Sequence, residues 1–191
     1  MTQGGRLIVI SGPSGAGKST LVRRAMERTD AEFSVSATTR QPREGEADGR
    51  EYFFVSEQEF REMVRRDELL EWAEVFGDLY GTPAEPIRRT IANGRTVLLD
   101  IDVQGAMQVH ETMPEATFVL VVPPDMDELA RRLGGRGSET PEQRSRRLGQ
   151  AEKEIRTAEQ SGVYNHRIVN ENLDTAVDEV VRIIHREQAR T

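Results

Sequence analysis

The segment Gly12, Pro13, Ser14, Gly15, Ala16, Gly17, Lys18, Ser19, Thr20 holds the residue types and spacing best suited to chemistry. It fits the pattern G-x-x-x-x-G-K-[ST], in which glycines let the backbone curl until several N–H groups face phosphate oxygens. A helix starting just after the loop adds its partial positive charge. Lys18 is then placed to reach β- and γ-phosphates, and the Ser19 hydroxyl to ligate Mg²⁺. Chance matching of the fixed positions is on the order of one in a hundred for a chain of this size. The chain has 24 arginines and only two lysines, Lys18 and Lys153, so a slim ammonium at this position is a selective choice. The plain alternative is a glycine-rich turn with an exposed lysine. The loop implies a nucleoside triphosphate but no particular reaction, since GTPases, ATPases and kinases share it.

A second stretch, SATTRQPREG at 36–45, carries two arginines three apart and almost no apolar surface. The formal net charge of -7 argues against a broad basic surface for nucleic acid or an anionic membrane, so these arginines suggest a local anion site. Solvated surface charge is the usual fate of such residues. The absence of cysteine removes disulfides, thiolate metal sites and cysteine nucleophiles. His110, His166 and His185 are too far apart to suggest a metal site, and each is expected at the surface or partly buried. The first apolar run, 7–10, is too short for a signal peptide or a membrane span, so the expected location is cytoplasmic.

These residues need elements to position them. LIVI at 7–10 predicts a buried parallel strand entering the loop, and a helix follows from Gly17 to about Arg28. TVLLDID, TFVLVV and the shorter RIVN predict further parallel strands, separated by stretches long enough for helical crossovers. From Leu173, Ala176, Val177, Val180, Val181 and Ile184 recur at helical spacing, predicting a closing amphipathic helix. The frame is an α/β sandwich. Residues 36–89 fit it poorly: their strands look short and antiparallel, with a helix opening at Ser56 and Glu59 in capping-box register. They predict an inserted α+β lobe. Residues 127–150, rich in arginine and glycine, predict a helical segment restarting at Thr140-Pro141. One domain of 191 residues is expected, with its core at 1–35, 90–126 and 151–191.

GPSGAGKST, SATTRQPREGEADGREYFF, LLEWAEVFGDLYGTP, LLDIDVQG, RLGGRGSET and IVNENL occur in the order and spacing of the guanylate kinases, and together they span nearly the whole chain. That resemblance implies a P-loop NTPase three-layer sandwich with a central parallel sheet, a mobile GMP-binding lobe at 36–89 and a mobile lid at 127–150. It implies ATP-dependent phosphorylation of GMP, and of dGMP, with Mg²⁺. Its partners are small molecules only, with monomer and homo-oligomer both open.

By the resemblance, Arg40 and Arg43 with Tyr52 hold the GMP phosphate, Tyr80 belongs to the same GMP site, and guanidinium suits phosphate through paired hydrogen bonds. Glu71 matches the carboxylate that accepts from guanine N1–H and N2–H₂, while Ser36 and Thr82 approach the base near O6. Adenine lacks those donors and would leave a buried carboxylate unpaired, a mismatch that polar sites can reject by roughly 10⁴. Glu71 could otherwise be an outward strand residue, and Tyr52 could simply pack.

Asp102 falls on the GMP side, Asp100 near the metal's water shell, and Asn170 near the adenine, although a strand-ending turn explains Asn170 almost as well. Gly12 to Thr20 bind ATP. Lys18, Arg43, Arg132, Arg136 and Arg147 carry the catalytic charge, the last three matching the family's lid arginines. Spacing alone leaves Arg131, Arg144 and Arg146 open as alternatives. Leu79 and Val103 depart from residues the family often shows, and neither removes a charge from the site.

Overall fold

In the computed structural model, residues 5–75, 77–134 and 140–190 are described. Strand β1, Leu7–Ser11, is buried at every position. An unbroken run of branched apolar residues is stable as a strand only when both of its faces are covered. It lies centrally in a five-stranded sheet of order β2-β7-β1-β8-β9, with β2 at Glu32–Phe33, β7 at Val97–Ile101, β8 at Thr117–Val122 and β9 at His166–Val169. All of its pairings are parallel. Ile10 aligns with both Asp100 and Val119, so the loops after β1 and β7 emerge at the same edge, where open α/β sheets bind ligands.

Helices α1 (Lys18–Met26) and α7 (Leu173–Gln188) cover one face, burying Leu21, Val180 and Ile184 against Ile8, Ile10 and Val119. The other face carries α3 (Ala84–Ala92) and α4 (Val103–Thr112), with Ile87 and Val109 against Leu7, Val9 and Phe118. The packing therefore assigns α3 to the main sheet, although the sequence reading drew the lobe through residue 89. His110 stacks edge-on against Phe118 with ring centroids 5.3 Å apart, and His185 is exposed.

The inserted lobe is a second sheet, of order β4-β3-β6-β5, formed by β3 (Ser36–Thr38), β4 (Tyr52–Phe54), β5 (Leu69–Val75) and β6 (Asp78–Pro83). The expectation of antiparallel strands fails at one pairing, since β3 and β4 run parallel. The connection 39–51 is long enough to cross over instead of reversing as a hairpin. Helix α2 (Glu57–Arg65) opens with the capping box foreseen at Ser56 and Glu59. Phe60, Ala37 and Leu79 form the lobe's own core with Phe53, Met63 and Leu69, which explains why an apolar residue is acceptable at position 79.

Helix α5 (Met126–Gly134) and the long α6 (Pro141–Ser161) make up the remaining segment. Thr140 caps α6 in a capping box with Gln143, and Pro141 opens its first turn. The helix crosses the expected boundary at 150 without a break: Ala151 packs with Leu129 and Leu133, and Ala158 with Val103, Leu120 and Val122. One continuous helix thus joins residues 141–150 to the core, and Val103 is a packing residue.

Because the lobe has a separate small core, Phe60→Ala should cost about 3–5 kcal/mol of local stability. Hydrogen exchange should accelerate across 36–83 while the amides of β1 and β8 stay protected. Uniform acceleration would show that the two cores unfold as one.

Candidate active site

The loop joining β1 to α1 is shaped by its glycines. Gly12 has φ 149°, and a Cβ there would run into the Val121 carbonyl oxygen. Gly17, at φ 88°, is the left-handed N-cap of α1. Lys18 Nζ donates to the carbonyls of Gly12 at 2.7 Å and Pro13 at 3.3 Å, folding the ammonium over the loop. Asn170 braces the loop from below. Its Nδ2 donates to Ala16 O at 2.8 Å and it is only 5% exposed. Asn170 directly follows β9, but its side chain serves the loop, not solvent.

Ser19 Oγ donates to Asp100 Oδ2 at 2.7 Å. Burial pushes the Asp100 carboxyl up, opposed by Lys18 and by this hydrogen bond. Among the described residues no group of three or more His, Asp or Glu could hold a metal. One carboxylate and one hydroxyl nevertheless fit Mg²⁺, which binds few protein oxygens and completes its shell with water and phosphate.

Arg132 and Arg147 approach the same region. Arg132 donates from Nε to Glu128 Oε1 and from Nη2 to Asn170 O, both at 2.7 Å. Arg147 Nη2 donates to Ser14 Oγ at 2.9 Å. Leu129 and Leu133 of α5 lie so near Gly15 that a Cβ there would come within 2.8 Å of each. Arg136 falls outside the described residues. Of the alternatives, Arg131 pairs with Glu128 at 2.6 Å, and Arg144 lies against Gly134, 3.0 Å from where a Cβ would be.

Across a cleft of about 970 Å³ stands the inserted lobe. Lys18, Ser19, Asp100 and Asp102 line the cleft on the core side, Ser36 and Tyr52 on the other. The strand register places Ser36 beside Tyr52 and Thr38 beside Tyr80, and the two tyrosine rings meet at 5.9 Å. The Arg40 guanidinium lies over Tyr52 at 5.5 Å.

Glu46, which the sequence reading passed over, takes Arg40 Nη2 on both carboxylate oxygens, at 2.9 and 3.0 Å. It also accepts from the Arg43 backbone N–H at 2.8 Å. Glu46 is the first cause holding Arg40 charged, and Tyr80 adds to it. The spacing R-x-x-R-x-x-E was the available signal. The Arg43 side chain is exposed.

Glu71 is 8% exposed and accepts from Thr82 Oγ1 at 2.6 Å. Thr82 therefore orients this carboxylate, where the sequence reading aimed it at a base. Gly105 was also missed: a Cβ there would lie 3.1 Å from Glu71 Oε2. Its N–H donates at 2.7 Å to Oδ1 of Asp102, the N-cap of α4.

A phosphate-binding loop on a parallel sheet, sharing one cleft with a separate inserted lobe, is the arrangement of a P-loop phosphotransferase. The guanylate kinase family model matches residues 4–187. A guanylate kinase of Caldanaerobacter subterraneus subsp. tengcongensis is 45% identical, over 97% of this chain and 89% of that relative. One from Synechocystis sp. is 44% identical over 96% and 95%. The crystal structure of guanylate kinase from Anaplasma phagocytophilum superposes with a TM-score of 0.75 at 34% identity, covering 99% of this chain and 89% of that one. The chain belongs to the guanylate kinase family, nucleoside monophosphate kinases that phosphorylate GMP with ATP. Among the described residues no helix is long and apolar enough to cross a membrane.

Burial is the largest cause pushing Glu71 up to about 7, with the Thr82 hydrogen bond opposing it and Asp102 adding to it. Carbon-13 NMR of the Glu71 carboxyl should show half-ionisation near that pH. Thr82→Val removes the donor that favours the charged form, so the midpoint should move higher. A midpoint near 4.5 in the native protein would contradict the buried geometry. The shift also favours the folded chain at low pH, and that contribution is lost as pH rises through about 7.

Proposed function

We propose that the loop at 12–20 holds ATP while the lobe at 36–83 holds GMP or dGMP, with the γ-phosphoryl passing between them inside the shared cleft. The observation that carries this reading is that single cleft, lined by Lys18 and Ser19 from one side and Ser36 and Tyr52 from the other. The acceptor is a phosphate oxygen already ionised near neutral pH, since a phosphomonoester's second pKa is about 6, so no general base is needed. Catalysis reduces to alignment and neutralisation of charge.

Lys18 would exchange its loop carbonyls for β- and γ-phosphate oxygens. Arg40, Arg43, Tyr52 and Tyr80 would clamp the GMP phosphate. Glu71, ionised and steadied by Thr82, would accept from guanine N1–H and N2–H₂, with Ser36 and Asp102 beside the base. Arg132, Arg136 and Arg147 would close with the lid onto the transferring group and exclude water, limiting wasteful hydrolysis. Mg²⁺ would be held through Ser19, with Asp100 near its water shell; when bound, such an ion neutralises charge on the β- and γ-oxygens. Free ATP and GMP as substrates favour a cytoplasmic setting.

A coupled assay with Mg-ATP over GMP, dGMP, AMP, CMP and UMP tests the base selection. GMP and dGMP should turn over and the others should not; robust AMP turnover without GMP turnover would overturn the role given to Glu71. Lys18→Ala should lower kcat by orders of magnitude with little change in GMP affinity, and wild-type kcat in that variant would remove the lysine from the chemistry.

A further inference from the structure

Strand β5 is the outer strand of the lobe sheet, paired on one side only, with β6. The free edge of such a strand leaves N–H and C=O groups without a ladder partner. At Trp72 that edge meets α4. The Gln108 side chain accepts from Trp72 N–H through Oε1 at 3.1 Å and donates from Nε2 to Trp72 O at 3.1 Å. One carboxamide thus makes both hydrogen bonds that a neighbouring strand would make. The Trp72 ring takes no large part in holding the strand, since it is 40% exposed.

This clamp sits one residue from Glu71, at an irregular place in the strand. The β5–β6 register shifts between Leu69 and Trp72, so regular pairing does not by itself fix the height of Glu71. Three fixed points surround it instead. Thr82 of β6 donates to its Oε1, and Gly105 of α4 leaves only the room its Oε2 needs. Gln108 lies one helical turn beyond Gly105 on the same face of α4. The helix is itself anchored at the cleft by its N-cap, Asp102.

We propose that Gln108 is a positioning residue for base selection: by clamping the Trp72 backbone to α4 it sets the depth at which Glu71 meets the guanine edge. A misplaced carboxylate still meets the N1–H but loses the N2–H₂, because two parallel hydrogen bonds demand closer alignment than one. The inference rests on the reading of Glu71 as the guanine acceptor. It makes the choice of base depend on a core helix that contacts no part of the substrate through this side chain.

Two variants test it: Gln108→Met, of similar length without the amide, and Gln108→Glu, which keeps an acceptor for Trp72 N–H but sets a carboxylate against its carbonyl. Each is assayed with Mg-ATP against GMP and against IMP, whose base lacks the 2-amino group, alongside KM for ATP and the melting temperature. KM for GMP should rise about tenfold and the GMP-to-IMP ratio of kcat/KM should fall by a similar factor, the size of one lost hydrogen bond. The KM for ATP should stay within about twofold. A lower melting temperature with unchanged GMP KM and unchanged ratio, in whichever variant folds, would make Gln108 a structural brace only and overturn the inference. Glu71→Gln run in parallel separates the two claims. If it loses selectivity while the Gln108 variants do not, the positioning role alone falls; if none of the variants loses it, the reading of Glu71 falls as well.

Discussion

Donor and acceptor in this reaction are both phosphates, and they must be brought into line against their own repulsion. In a chain of net charge -7 the countering positive field has to be local. The fold concentrates it at the edge of the parallel sheet, where β1 ends and the α1 N-terminus begins. Lys18 shows how: its ammonium rests on the neutral carbonyls of Gly12 and Pro13. A carbonyl fixes a cation in place without cancelling its charge, so the field of Lys18 remains for an anionic ligand. Arg40 and Arg132 follow a different rule, because their partners Glu46 and Glu128 are themselves anions.

The carboxylates of the cleft show the converse arrangement. Glu71 and Asp100 come from different sheets, yet each accepts a hydrogen bond from one hydroxyl, Thr82 or Ser19, and each is pushed up mainly by burial. A partly desolvated carboxylate favours any ligand that supplies more donors or positive charge. That is a reason for both to stand where substrate and metal are expected, and for the loop and lobe to keep hydroxyl residues beside them.

Much of the frame was legible in advance because its signals are local. The buried run of β1, the capping box at Ser56, the helix start at Thr140-Pro141 and the spacing of apolar residues in α7 each depend on neighbours a few positions away, and each appears as expected. The lobe was less legible. Its strands are short, so alternation could not reveal that β3 and β4 run parallel, and nothing local announces that α3 packs on the main sheet. Asn170 was noticed but its partner was not, because Ala16 is far away in sequence and near only once β8 and β9 have paired.

The amino-acid sequence by itself determined the phosphate loop, the parallel-sheet frame and a local anion site at 36–45, since these follow from contiguous motifs and residue chemistry, while the kind of acceptor came from the family resemblance. Only the tertiary structure decided what holds the chosen residues in place: Thr82 turned toward Glu71, Glu46 folded onto Arg40, Gly105 and Gln108 brought from α4 to the edge of β5. Apart from the short-range Arg40–Glu46 pair and the Thr82–Glu71 contact between the adjacent strands β5 and β6, those contacts join elements farther apart along the chain. Their geometry depends on how two sheets and a helix pack together, and no local pattern of residues encodes that arrangement.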